Sequence, residues 1–299
     1  MSSDKRLTKA FKNAKVIDFD DSSKFILFSD CHRGDNSFAD DFANNRNIYF
    51  HALSHYFKEG FNYCEIGDGD ELWENLFFKD IFEAHKNVYF LLKKFYDNDR
   101  LHMMYGNHDM VYRNPSVIKK HYDCYLNPET NKEEPFMPGL KFHESIILNH
   151  TNTGQKVFLT HGHQADWWNY LFWKWSRFMV RILWKPLQVF GIADPTSPAK
   201  NNLELRKIER RIKKWIARNN NQLTIVGHTH RPRFPEPGDL AFFNDGSCVH
   251  PRSVTGLEIE NGNITLIKWY TDITDEGYLR IAKSVLEGPK KLIDYKTEE

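Results

Sequence analysis

Short apolar runs recur along the chain, and each closes on polar or glycine residues. Lys24–Ser29 (KFILFS) leads into Asp30, Phe61–Ile66 (FNYCEI) into Gly67 and Asp68, and Leu101–Tyr105 (LHMMY) into Gly106, Asn107, His108 and Asp109. Lys156–Thr160 (KVFLT) leads into His161, Gly162 and His163, and Gln222–Val226 (QLTIV) into Gly227, His228, Thr229 and His230. Runs of this length and β-rich content, closed by Gly or polar residues, read as buried strands. Between the first three lie helical spacings. Phe38, Phe42, Tyr49, Leu53, Tyr56 and Phe57 mark one helix, and Leu72 through Phe95 marks another that is broken. Strand–helix–strand alternation predicts α/β units with parallel strands.

The pattern changes after Gly238. Leu240–Phe243, Val254–Glu260 and Ile264–Tyr270 are strand-like, and Glu260-Asn261-Gly262-Asn263 is a hairpin turn. The chain is expected to end in antiparallel sheet and then a charged helical tail over about 271–299. Asn127–Gly139, with three Pro and three acids, reads as a loop. Residues 164–220 read as a helical insertion of different character. It opens with five of the eight Trp (Trp167, Trp168, Trp173, Trp175 and Trp184). Lys174, Arg177, Arg181 and Lys185 would form one basic stripe on an apolar helix, which Pro186 ends or kinks. A second helix would put Leu205, Ile208, Ile212, Trp215 and Ile216 on one face.

Charge sharpens this division. The 299 residues carry 41 Lys and Arg against 40 Asp and Glu, a net of +1, which argues against a chain that is all nucleic-acid glove or acidic tail. Within 164–220 there are twelve Lys and Arg against four Asp and Glu, a local net of +8, so the remainder carries −7. With 40% apolar and 27% charged residues the composition is that of a soluble globular domain. Four scattered cysteines without a CxxC disfavour a disulfide framework or zinc knuckle and point to a reducing cytosol. The N-terminal MSSDKRLTKAFKNAK has no apolar stretch of the signal-peptide kind, and no run suits a membrane span.

The candidate chemistry sits where the runs end. Asp30-x-His32, Gly67-Asp68-x-x-Glu71, Gly106-Asn107-His108-Asp109, His161 and Gly227-His228-x-His230 each follow a strand-like segment. Sites in open α/β sheets form at the carboxyl ends of strands, so neighbouring strands would bring the five clusters together. Carboxylate, imidazole and amide oxygen suit Mn²⁺, Fe²⁺ or Zn²⁺. Strand alternation would put His228 and His230 on one side, and would turn Cys31 away from its neighbours Asp30 and His32.

This order of motifs resembles the calcineurin-like metallophosphoesterase superfamily over Asp30–His230. The resemblance implies one catalytic α/β domain over 1–299, a two-sheet sandwich flanked by helices, with 164–220 as a helical cap. It implies two divalent metal ions, Mn²⁺ first with Fe²⁺ or Zn²⁺ as alternatives. Asp30, His32, Asp68 and His230 would hold one, and Asp68, Asn107, His161 and His228 the other. Together they would give a bridging hydroxide near neutral pH for in-line attack on phosphorus. His108 would protonate the leaving oxygen or hold the phosphate, with Asp109 orienting it, and Glu71 is not expected as a ligand. Arg33 could grip a phosphate bidentately or form a surface ion pair. His163 could support the ligands and substrate or be a satisfied strand-end histidine. Asp35 and Asn36 are read as capping the helix that follows.

The subgroup nearest in layout resembles UDP-2,3-diacylglucosamine hydrolase, on Gly-Asp-x-x-Glu-x-Trp (Gly67–Trp73) and on the insertion between His161 and Gly227. There the insertion is a lid over acyl chains. A Trp-rich basic cap also suits a membrane interface, which implies a cytoplasmic enzyme touching the inner face peripherally. That subgroup typically has Arg where this chain has His108, so the substrate is read more broadly, as a phosphodiester or pyrophosphate with a lipid or nucleotide-sugar-lipid part. The Ser/Thr phosphatase subgroup is disfavoured, because Asp-Arg-Gly is missing after Gly67-Asp68. Two alternatives stay open: a phosphomonoesterase or nucleotide diesterase with a small substrate, and a non-catalytic scaffold of the same fold.

Overall fold

The computed structural model describes residues 1–166 and 202–296. Its strands are β1 (Lys15–Phe19), β2 (Phe25–Phe28), β3 (Asn62–Ile66), β4 (Leu101–Met104), β5 (Cys124–Asn127), β6 (Lys132–Pro135) and β7 (Phe142–His143). They continue as β8 (Ser145–His150), β9 (Lys156–Thr160), β10 (Thr224–Val226), β11 (Phe242–Asn244), β12 (Ser253–Glu260), β13 (Asn263–Ile273) and β14 (Leu279–Lys291). The helices are α1 (Ser3–Lys12), α2 (Arg46–Lys58), α3 (Phe78–Ala84), α4 (Lys86–Asp97), α5 (Pro115–Tyr122) and, after 201, α6 (Asn202–Arg218).

Period-two alternation along the strands sorts the apolar side chains into layers. In β2, Phe25 and Leu27 face a core between two sheets, shared with Ile146, Leu148, Val157, Leu159 and Ile225. Ile26 and Phe28 face the other way, against Tyr49, Leu53 and Tyr56 of α2. One sheet runs β14-β13-β12-β2-β3-β4-β7 and the other β1-β8-β9-β10-β11, with β5-β6 as a separate hairpin. On the outer face of the five-stranded sheet, Leu7 of α1 and Ile208, Ile212, Trp215 and Ile216 of α6 pack on Phe158 and Phe242. The result is the expected α/β sandwich with helices outside both sheets.

The expected parallel run is present, β2 beside β3 beside β4, as is the parallel pair β9 and β10 in the facing sheet. The second helical pattern breaks at His85, between α3 and α4. Four expectations are corrected. The tail is not helical: β13 runs to Ile273 and β14 adds thirteen residues antiparallel to it, because a polar edge strand needs only one paired side. The supposed loop Asn127–Gly139 contains β6, paired with β5. Phe38 and Phe42 do not belong to α2, which begins at Arg46; Phe38 is almost fully exposed on a turn, and Phe42 is buried on the turn before the helix. Asp35 and Asn36 therefore cap no helix; Asp35 instead accepts from Ser37 N.

The supposed cap divides. The second helix, α6, is a layer of the sandwich, and its Trp215 indole donates to Thr8 Oγ1 of α1 at 2.9 Å. The Trp-rich first part, with its basic stripe, lies outside the described residues. Among the described residues no helix is long and apolar enough to cross a membrane.

Candidate metal centre

The five signature clusters follow β2, β3, β4, β9 and β10, and the parallel arrangement points these strand ends the same way. The structure brings together Asp30, His32 and His230 in one group and Asp68, His161 and His228 in another. Asp30 Oδ1 lies 3.1 Å from His230 Nε2 and 3.7 Å from His32 Nε2. Asp68 Oδ2 lies 3.0 Å from His161 Nε2 and 3.9 Å from His32 Nε2, so it stands between the groups. Asn107, on the turn after β4, is buried as well.

Backbone conformation sets the site apart. Five of these seven residues (Asp30, His32, Asp68, His228 and His230) have φ between 49° and 64°. Non-glycine residues there cost on the order of 1–3 kcal/mol each and persist where the surroundings over-determine them. This corrects the alternation argument for His228 and His230. Both lie beyond the end of β10 in left-handed backbone, and they turn to different groups. Cys31 does turn away, its Sγ 3.9 Å from Glu65 Oε2.

The inner atoms suit cations. Asp30 Oδ1, His32 Nε2, Asn107 Oδ1 and His161 Nε2 are buried and accept or donate no hydrogen bond. Each outer atom is held. His161 Nδ1 donates to the Ile66 carbonyl at 2.8 Å, and His32 Nδ1 meets Glu71 Oε2 at 2.7 Å, so the ring contacts at Nδ1 fix both rings and leave Nε2 unpaired. Asp30 Oδ2 accepts from His228 N, and Asp68 Oδ1 accepts from His108 N, each at 2.8 Å. Gly106 must be glycine, because a Cβ there would overlap the Asp68 carboxylate.

Burial alone would protonate the carboxylates, but neighbouring imidazoles prevail. His230 and His161 hold Asp30 well below its ordinary range, and His161 and His108 do so for Asp68. In return, although burial opposes it, Asp68 and Asp30 push His161 up to about 9. Two buried, ionised carboxylates among orphaned N and O ligand atoms are the donor set of borderline-hard divalent ions.

Three further positions behave differently from expectation. Asp109 does not orient His108: its carboxylate accepts from Gly69 N at 3.0 Å and Gly106 N at 2.6 Å, tying two site turns together. Glu71 takes that role, with Oε1 2.8 Å from His108 Nδ1 while Oε2 holds His32. Trp73 stacks on the His108 ring at 4.2 Å and 20°. Arg33 neither reaches a phosphate nor pairs at the surface. It is fully buried and forks onto Glu65 at 2.6 and 2.8 Å. His163 is buried with its ring 5.4 Å from that of His161, and burial beside His161 and His228 holds its pKa well below the usual value.

Other site neighbours gave no local signal in the sequence. Ser29 Oγ sits between Asp30 and Asp245, 2.7 Å from Asp245 Oδ1, and burial beside Asp30 holds the Asp245 carboxyl well above its ordinary pKa. Asp166 Oδ2 lies 3.3 Å from His228 Nε2. The hydroxyl and carboxyl of Ser29 and Asp245 are 216 residues apart, so only the fold joins them.

Residues 23–232 match the family model for calcineurin-like phosphoesterase, well over half of the chain. The chain belongs to that family. This calcineurin-like phosphoesterase is therefore a hydrolase of phosphoester bonds, of a family whose members typically use two metal ions. No curated protein matches it significantly. Among solved structures it is similar to vacuolar protein sorting 29 from Cryptosporidium parvum, at 16% identity and a TM-score of 0.37, over 90% of this chain and 100% of that one.

Proposed function

We propose that this phosphoesterase is a dinuclear, Mn²⁺-dependent enzyme that cleaves a phosphodiester or pyrophosphate bearing a lipid or nucleotide-sugar-lipid group. The observation that carries the hydrolase reading is the clamp on His108, and the diester or pyrophosphate preference follows from the lipid reading of the insertion. Glu71 holds Nδ1 and Trp73 stacks on the ring, which leaves Nε2 to give a proton to an alkoxide-like leaving oxygen. Asp30, His32, Asp68 and His230 would hold one ion, and Asp68, Asn107, His161 and His228 the other. Two divalent ions there would supply Lewis acidity for water and offset phosphoryl charge. Glu71, bonded to both His32 and His108, would keep the proton donor in register with the ligands. The lipid part rests on the sequence of 167–201, with its five Trp and basic stripe next to the His163–Asp166 turn.

The test is a rate panel with Mn²⁺-loaded protein on a monoester, a small diester, a nucleotide-sugar pyrophosphate and a phospholipid. Diester or pyrophosphate turnover above the monoester is expected; the reverse order would replace this reading with a phosphomonoesterase. Trp173→Ala with Trp175→Ala should lose the lipid substrate and spare the small diester. Equal loss of both would remove the lipid assignment.

A further inference from the structure

Behind the metal centre lies a second charged cluster that takes no part in ligation. Asp70, between Asp68 and Glu71, points into the core. Its Oδ1 accepts from Arg33 Nε at 3.0 Å and Tyr89 Oη at 2.7 Å, and its Oδ2 from Tyr112 Oη at 2.6 Å and Tyr122 Oη at 2.7 Å. Glu65 of β3 takes the other edge of the Arg33 guanidinium and the Tyr63 hydroxyl. Arg33, Glu65 and Asp70 are all buried; Arg33 follows β2, and the Tyr donors come from β3, α4, α5 and the Met110–Arg113 turn.

The cluster is also joined to the ligand turn through the backbone. Arg33 N donates to Gly69 O, Glu71 N donates to Arg33 O, and His32 N donates to Asp68 O, all at 2.9 Å. Gly69 has no room for a side chain, since a Cβ would overlap the Glu65 carboxylate. Asp68 must be held in left-handed backbone while its carboxylate stands between two histidine groups. A turn under that strain needs an anchor, and Asp70 supplies the side-chain bonds that can provide it.

We propose that Asp70, clamped by Arg33, Tyr89, Tyr112 and Tyr122, is a positioning residue that fixes the Asp68–Glu71 turn and thereby sets the affinity of the centre for divalent metal. The inference rests on the metal-centre reading above. Supporting groups of this kind typically change metal affinity about 10–100-fold when removed. Asp70→Asn keeps the shape and leaves Arg33 paired with Glu65, so the buried cluster becomes neutral.

The test is calorimetric titration of Mn²⁺ into metal-stripped wild type and Asp70→Asn, beside thermal melting of both without metal. Asp70→Asn should bind Mn²⁺ about 10–100-fold more weakly. Its metal-free melting temperature should stay within about 4 °C of wild type. Unchanged affinity overturns the proposal, whether or not melting shifts. If Asp70→Asn does not fold, Tyr122→Phe removes a single donor and should weaken binding about 2–10-fold; wild-type affinity there overturns it equally. A wild type that takes up no Mn²⁺ would instead remove the metal-centre reading itself.

Discussion

Two charged clusters share the Asp68–Glu71 turn and differ in one respect. On the core side, Arg33, Glu65 and Asp70 are buried, and every carboxylate oxygen meets an Arg or Tyr donor. On the other side, buried Asp30, Asn107 and His161 and half-buried His32 present buried atoms with no hydrogen-bond partner. Unpaired buried polar atoms cost about 1–3 kcal/mol each, so several facing one another between two carboxylates call for a cation to satisfy them. Residue type does not separate a site from a scaffold here; satisfaction does. Arg33 illustrates the point, since a cation beside two ligands looks like a phosphate grip until its partners are seen.

The comparison breaks most sharply at Asp68. Asp68→Ala should cost more than about 100-fold in metal-dependent phosphoester hydrolysis, since even residues behind the ligands cost up to that. Far-ultraviolet circular dichroism should stay native. Retained wild-type turnover would show that the unpaired atoms are not the working centre. His108→Asn should lower kcat about 10²–10⁴-fold on an alkyl diester and much less on a p-nitrophenyl ester, whose leaving group needs no proton. Equal losses on both would move His108 from proton donation to phosphate binding.

Within the satisfied cluster, losing the Arg33 cation should cost stability. Arg33→Met strands Glu65 and Asp70 in the core, and breaking a buried pair in this way costs about 3–5 kcal/mol. Urea unfolding should show a lower midpoint with the same slope, whereas a change below about 1 kcal/mol would mean that the network is incidental.

A control comes from the sandwich interior. His102 on β4 is pushed down to about 4 by burial and by the charges of His143 and Lys15. Unfolded, it would bind a proton near pH 6.5, so between about pH 6.5 and 4 the unfolded chain binds more protons and stability falls as pH falls. His102→Gln should reduce that acid sensitivity by about 2–3 kcal/mol across this window. An unaltered stability profile would refute a half-buried neutral imidazole at this position.

The legible part was local. Five apolar runs ending in Asp, Asn or His located β2, β3, β4, β9 and β10 and the seven residues gathered at their ends, because strand period and strand-end polarity are written in neighbouring residues. The seven-residue set still owes its meaning to the fold, since Asp30 and His230 are joined only by sheet packing. The edge strand β14 was misread because its Lys and Glu resemble an exposed helix, and only pairing with β13 decides otherwise. Glu71 took the orienting role expected of Asp109 because both lie outside regular strands and helices, where side-chain direction is not set by residue spacing.

The composition is a near balance of charges, +1 overall with +8 in 164–220. The sequence alone determined the family signature, the α/β class and that uneven charge. Tertiary structure alone decided which charges are spent. It placed α6 in the outer layer, consumed Arg33 in a core ion pair, and left Asp30, His32, Asn107 and His161 with buried polar atoms that have no hydrogen-bond partner. The physical reason is that pairing of buried polar groups is a long-range property, set by which strands lie side by side.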